Sequence, residues 1–224
     1  MKKQVCNNCD NEMPFFRSED GSETDGISYC TNAECVLHGM QQPKSDGQSI
    51  VSFDLNGGFT VIRKGRFSEN EENLERVIEM LKKHLSLDKK IEATTEETGA
   101  DLVVSCSCGL VTRDIQVTRI LDSKYASSAS NSDVVWETYK TNEVLNLIAR
   151  SIEKKTHRYA PEIVKEMCLV LDPTVDTFWA VIYKVNLEIL REYFSRQPWF
   201  SIVLVSPENV ILLSGAELSE WCQC

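Results

Sequence analysis

Hydrophobic and polar residues alternate with period two through residues 49–63, on both sides of Asn56-Gly57-Gly58. Successive side chains of a strand point to opposite faces, and Asn and Gly reach the φ values a tight turn needs, so this pattern predicts a β-hairpin. From residue 68 the period lengthens. Leu74, Val77, Ile78, Leu81 and Leu85 share one helical stripe, opened by the capping-box pair Ser68 and Glu71. Residues 101–105 (DLVVS) read as a short buried strand, and residues 110–121 alternate again as a second one. Thr141 caps a helix to about residue 157, with Val144, Leu145, Ile148 and Ile152 inward. Residues 163–171, bounded by Pro161 and Pro173, fit a strand or a helix. Residues 177–195 read as helical, 199–206 as a strongly apolar strand and 210–213 as another short one. Between these lie three polar stretches: a linker at 39–49, a loop at 91–99 and a Ser-rich loop at 122–133. The order helix, strand, strand, helix, strand, helix, strand predicts an α/β fold with helices flanking one mixed sheet.

Composition narrows the class. A hydrophobic fraction of 42% is that of a globular chain. No apolar run approaches the roughly 20 residues that span a bilayer, so no membrane association is expected. No apolar stretch follows Lys2 and Lys3, which predicts no secretory signal and a cytoplasmic location. Nine cysteines, an odd number, then read as reduced thiols rather than a disulfide framework. The net charge of −10 argues against a protein that coats nucleic acid non-specifically. It is unevenly spread: residues 48–90 and 126–160 each carry a net +1, so an anion-binding face is expected from those stretches. The acidity also admits a DNA mimic, although the acids show no regular phosphate-like spacing.

Cys6-x-x-Cys9 is followed by Cys30-x-x-x-x-Cys35. Two close pairs on separate knuckles are what a tetrahedral zinc ion requires, and soft thiolates suit it. The intervening segment has too few apolar residues for a core of its own, so the metal would supply its folding energy. His38 is the alternative to Cys35 as fourth ligand. This stretch resembles a zinc ribbon over residues 4–40, with Phe15, Phe16 and Arg17 at the hairpin tip as candidate contacts for a partner or for the body. Four thiolates leave no open coordination position, which makes the zinc structural. Cys106-Ser-Cys108 and Cys222-Gln-Cys224 are two further close pairs; a second metal site and plain thiols are both open readings.

Asp101 opens an apolar strand, and Asp114-Ile115-Gln116 lies within the next. Period two puts Asp114, Gln116 and Thr118 on one face, and a turn at 106–109 would bring Asp101 and Asp114 to one end of the sheet. A charge in a buried strand is costly unless paired or bound to metal. GADLVV followed by RDIQVTRI, with its flanking helices, resembles the core of the PD-(D/E)XK, restriction-endonuclease-like superfamily over residues 66–206. The resemblance implies a Mg²⁺-dependent phosphodiesterase acting on DNA, with Asp101 and Asp114 as Mg²⁺ ligands and Glu71 or Glu75 as a third acid. Lys140, Arg150, Lys154, Lys155, His157 and Arg158 would face the phosphate backbone. Two residues depart from the motif: Ala100 stands where it has Pro, and Gln116 where it has Lys. Lys124 and Lys140 are candidates to supply the missing charge.

The domains expected are a zinc ribbon at 1–40, a linker and hairpin at 41–65, and the α/β body at 66–224. Other chemistries lack their residues: there are three histidines, no Gly-x-Ser-x-Gly elbow and no phosphate-binding glycine loop. The functional expectation is a zinc-ribbon nuclease of phage or restriction type. Its alternative is a non-catalytic relative that binds DNA, or a protein partner through the ribbon.

Overall fold

The computed structural model describes residues 6, 9, 13, 15–16, 27–28, 30–35, 38–40, 42, 49–53, 58–64, 72–85, 89–94, 99–107, 112–120, 134–173, 187–205 and 209–221. In chain order the strands are β1 (Phe15–Phe16), β2 (Ile27–Ser28), β3 (Ser49–Phe53), β4 (Gly58–Lys64), β5 (Lys89–Ala93), β6 (Leu102–Cys106), β7 (Thr112–Ile120), β8 (Val134–Lys140), β9 (Cys168–Pro173), β10 (Ser201–Val205) and β11 (Val210–Gly215). The helices are α1 (Glu72–Lys82), α2 (Thr141–Thr156), α3 (Pro161–Val164) and α4 (Leu187–Phe194). The chain divides into two compact units, Met1–Ser68 with Ser123–Lys140, and Glu69–Asp122 with Thr141–Cys224.

The first unit holds the small antiparallel pair β1 and β2 and a three-stranded antiparallel sheet in the order β3-β4-β8. The expected hairpin is present as β3 and β4, with Ile50 opposite Ile62. β4 is central, and its Phe59, Val61 and Ile62 are buried. Phe59 stacks on Tyr139 of β8 at 5.4 Å, and the hydroxyls of Thr60 and Thr138 meet at 3.0 Å. Ile62 packs with Cys6, Met13, Cys30 and Cys35 in one cluster.

The second unit is a mixed α/β layer built on a six-stranded sheet in the order β11-β10-β9-β7-β6-β5. β5, β6 and β7 form an antiparallel meander; β9 returns parallel to β7, β10 lies parallel to β9, and β11 closes the far edge antiparallel. One sheet face is apolar. Leu102, Val104, Ile115, Cys168, Val170, Val203 and Val205 meet Val77, Met80 and Leu81 of α1 there, together with Trp221. α2 buries Val144, Ile148 and Ile152 and packs against β7.

The structure corrects the reading of three stretches. The polar loop expected at 91–99 begins as strand: β5 pairs with β6, Ile91 opposite Val104. Residues 163–171 are neither one strand nor one helix; α3 ends at Val164, and β9 starts at Cys168. Residues 134–140, given no element by the sequence pattern, pair along the whole of β4. Among the described residues no helix is long and apolar enough to cross a membrane.

Candidate metal centre and acidic site

The cysteine quartet is assembled by short local bonds. Asn32 Oδ1 accepts from the Glu34 amide, the Asn32 carbonyl accepts from the Cys35 amide at 3.0 Å, and the Cys30 carbonyl accepts from the Gly39 amide at 2.8 Å. These close a knuckle in which Cys30 and Cys35 face inward. Gly39 adopts φ 71°, a left-handed turn that costs glycine little. The Sγ atoms of Cys6 and Cys35 lie 3.7 Å apart, those of Cys9 and Cys30 3.6 Å, and all four within 4.8 Å of one another. A tetrahedron with metal–sulfur arms of about 2.3 Å has edges of about 3.8 Å, so the quartet matches the span of a four-thiolate site. Cys6, Cys30 and Cys35 are buried and Cys9 is half-buried. These four residues can therefore hold a metal ion such as zinc. Cys35 rather than His38 completes the set: His38 is exposed and meets Cys30 only through a backbone bridge.

Gln42 is the residue the sequence pattern missed. Composition placed it in a linker, yet it is 1% exposed and its Nε2 donates to Cys6 Sγ at 3.1 Å. Cys106 is disulfide-bonded, against the expectation of reduced thiols, and is therefore no ligand of a second metal. Cys108, Cys222 and Cys224 lie outside the described residues.

The acidic site sits where β6 begins. Gly99, at φ 79°, turns the chain into Ala100 and Asp101. The Asp101 amide donates to the Ile115 carbonyl at 3.0 Å, just outside the regular ladder. The Asp101 carboxylate thereby reaches β7, where Oδ2 accepts from the Val117 amide at 2.8 Å and from Gln116 Nε2. Gln116 is 2% exposed, and its Oε1 accepts from the Tyr159 hydroxyl. Tyr159 also contacts the Gly99 carbonyl, hydroxyl to oxygen at 2.7 Å, and packs edge-on to Trp199. Trp199 in turn donates to Thr156 Oγ1 at the end of α2, at 2.9 Å. A chain of polar contacts thus ties the head of β6, the middle of β7 and the end of α2 together.

Register decides which acids meet. Leu102 pairs with Ile115 and Val103 with Asp114, so Asp101 meets Gln116, and Asp114 stands two residues along the same face. Asp114 is half-buried and lines a cavity of about 380 Å³ with Glu162 and Glu166. Glu75 is on α1, whose buried face covers the opposite, Ile115 side of the sheet, and is exposed; the fold does not bring it to Asp101. Among the described residues the cysteine quartet is the one cluster of three or more candidate metal donors this close together. Ser68, Glu71 and Lys124 lie outside the described residues, as does the 122–133 loop.

The basic residues fall in both units. Lys154, His157 and Arg158 are exposed at the end of α2, while Lys140 ends β8 of the other unit. Lys155 is half-buried; burial lowers its pKa from the ordinary lysine value, and the Asp101 carboxylate acts in the opposite direction. Burial and then the same Asp101 charge raise the Tyr159 hydroxyl. Lys155, in the last turn of α2, and Tyr159, in the turn that follows it, both join the Asp101 environment. Period-two reading found Asp114 and Gln116; Tyr159 had no such signal, because its contact comes from a turn after the helix. Compared with models of protein families, with curated proteins and with solved structures, the chain matches none of them.

Proposed function

We propose that the six-stranded unit is a Mg²⁺-dependent nuclease that hydrolyses DNA phosphodiester bonds, and that the other unit carries a structural zinc ribbon. One observation carries this reading: Asp101 is held against the Asp114-Ile115-Gln116 strand, in an environment that includes the Lys155 amine. Within the second unit the order α1, β5, β6, β7, α2, α3, β9, a helix, then strands with Asp101 at the head of one and Asp114 within the next, then a long helix and a further strand, supports it as an order like that of the restriction-endonuclease-like core.

Carboxylate oxygens are the hard donors Mg²⁺ takes. The bonds that described residues make to the Asp101 carboxylate fall on Oδ2, so Oδ1 would be the oxygen offered to a cation, with Asp114 as its companion. A bound Mg²⁺ would supply an activated water and charge neutralisation at the phosphate. The chain's own residues do the rest. Gln116 fixes the Asp101 carboxylate, Lys155 contributes the positive charge that Gln116 lacks, and Lys154 and Arg158 attract the phosphate backbone. In the ribbon, zinc joins two knuckles that have little apolar surface of their own.

A second reading rests on the same network. Gln116 donates to Asp101 and Tyr159 donates to Gln116, a closed polar network that suits a fold that binds DNA, or a protein partner through the ribbon, without cutting. Incubation of the full chain with plasmid and single-stranded DNA in Mg²⁺ separates the two. The nuclease reading expects cleavage that Asp101→Ala and Asp114→Ala both abolish. Binding without cleavage by the wild type supports the second reading, and equal cleavage by wild type and both variants removes the acids from the mechanism.

A further inference from the structure

The zinc thiolates are treated unequally by the fold. Cys6 is 0% exposed and accepts the Gln42 Nε2 bond at 3.1 Å, whereas Cys9 is half-buried. Gln42 is 1% exposed, thirty-six residues from Cys6 in the chain, and follows closely on Met40, which packs against the same cluster, and Gly39, whose amide donates to the Cys30 carbonyl. A buried amide aimed at a sulfur needs a reason, since burying it without a partner costs about 1–3 kcal/mol. Four thiolates on one divalent ion leave two excess negative charges in a poorly solvated site. An N–H donor on sulfur spreads that charge and stabilises the bound thiolate, as groups beyond the ligands commonly do at metal centres.

We infer that Gln42 is a positioning residue of the metal centre: its amide holds Cys6 Sγ in place and slows loss of the ion. The inference rests on the zinc reading of the quartet, and it assigns Gln42 to the centre rather than to a spacer. Removal of the amide takes away the nitrogen donor that Gln42 supplies to Cys6 Sγ. The consequence is kinetic as well as energetic. Zinc should leave a donor-less variant faster while the ligands themselves are unchanged.

The test uses the full chain, with the metal itself as probe. Gln42→Glu keeps the size and removes the amide donor; Gln42→Met does the same without adding a charge, and serves where the buried carboxylate prevents folding. Zinc content is measured first, then zinc release to excess chelator, then the thiolate-to-metal charge-transfer band after cobalt replaces zinc. The expected result is release faster by roughly tenfold or more, with the cobalt band moved to lower energy because the sulfur lone pairs lose a stabilising donor. Release at the wild-type rate overturns the inference. So does faster release with an unmoved band, which would make Gln42 a packing residue only. A wild type that takes up neither zinc nor cobalt with four-thiolate character removes the metal reading itself, and the inference with it.

Discussion

Asp172 is buried near the end of β9, and its carboxylate meets the Arg76 guanidinium of α1 at 2.5 Å. Burial raises its pKa above the ordinary carboxylate value, and Arg76 pulls it back. In the window between the ordinary and the raised value the folded chain binds more protons than the unfolded one, so this group's contribution to stability falls as pH rises. Arg76→Met should therefore destabilise the chain by about 1–3 kcal/mol at neutral pH, because it leaves a buried acceptor without its charged donor. Asp172→Asn should be close to neutral there, since it also removes the buried charge. Urea midpoints across mildly acidic to neutral pH check both: the midpoint of wild type relative to Asp172→Asn should drop as pH rises. None of this was legible in the sequence, because Arg76 and Asp172 are brought together only by the packing of α1 on the sheet. The residues that were legible carry local signatures. The spacing of Cys6, Cys9, Cys30 and Cys35 fixed the quartet, and alternation put Asp114 and Gln116 on one face. Gln42 and Tyr159 have no signature of spacing, since each contact depends on how distant segments fold together.

At the scale of elements, Gly215 closes β11 opposite Ser201 of β10, with φ 82°. A Cβ there would sit 2.2 Å from the Phe200 carbonyl oxygen, a backbone atom that cannot swing aside. Gly215→Ala should cost about 1–2 kcal/mol for the left-handed backbone and roughly 1–3 kcal/mol more for the forced shift of β10. Thermal unfolding measures it; a midpoint equal to wild type would mean the β10–β11 edge is not built as described. Elements with a strong period were readable beforehand: α2 runs Thr141–Thr156 on the stripe of Val144, Ile148 and Ile152. β5 escaped because an edge strand with a single buried residue, Ile91, has no alternation to show. β8 escaped for a different reason. It pairs with β4 across seventy or more residues, and its neighbours are a Ser-rich stretch and a helix cap, so its strand character comes from a partner far away in sequence.

For the whole molecule, the two cores differ in what holds them. The second unit buries a continuous apolar cluster from α1 across five strands, β5, β6, β7, β9 and β10, with Trp221 completing it. In the first unit the cluster around Ile62 consists of Cys6, Met13, Cys30 and Cys35, with Cys9 and Met40 at its edge. Four of those residues are the candidate ligands, so loss of the ion removes the cohesion of the cluster and turns its thiolates into mutually repelling or protonated groups. β4 would then lose the cover over Ile62, and its partners β3 and β8 would lose the support of a buried central strand. Chelation, or Cys30→Ser, should thus open the two units unequally. Hydrogen exchange should accelerate through residues 49–53, 58–64 and 134–140, while residues 102–106, 168–173 and 201–205 keep their protection. Uniform loss of protection in both sets would show that the sheet of the second unit depends on the metal as well. Unchanged protection in both would show that Phe59, Val61 and Tyr139 hold the three-stranded sheet together without it.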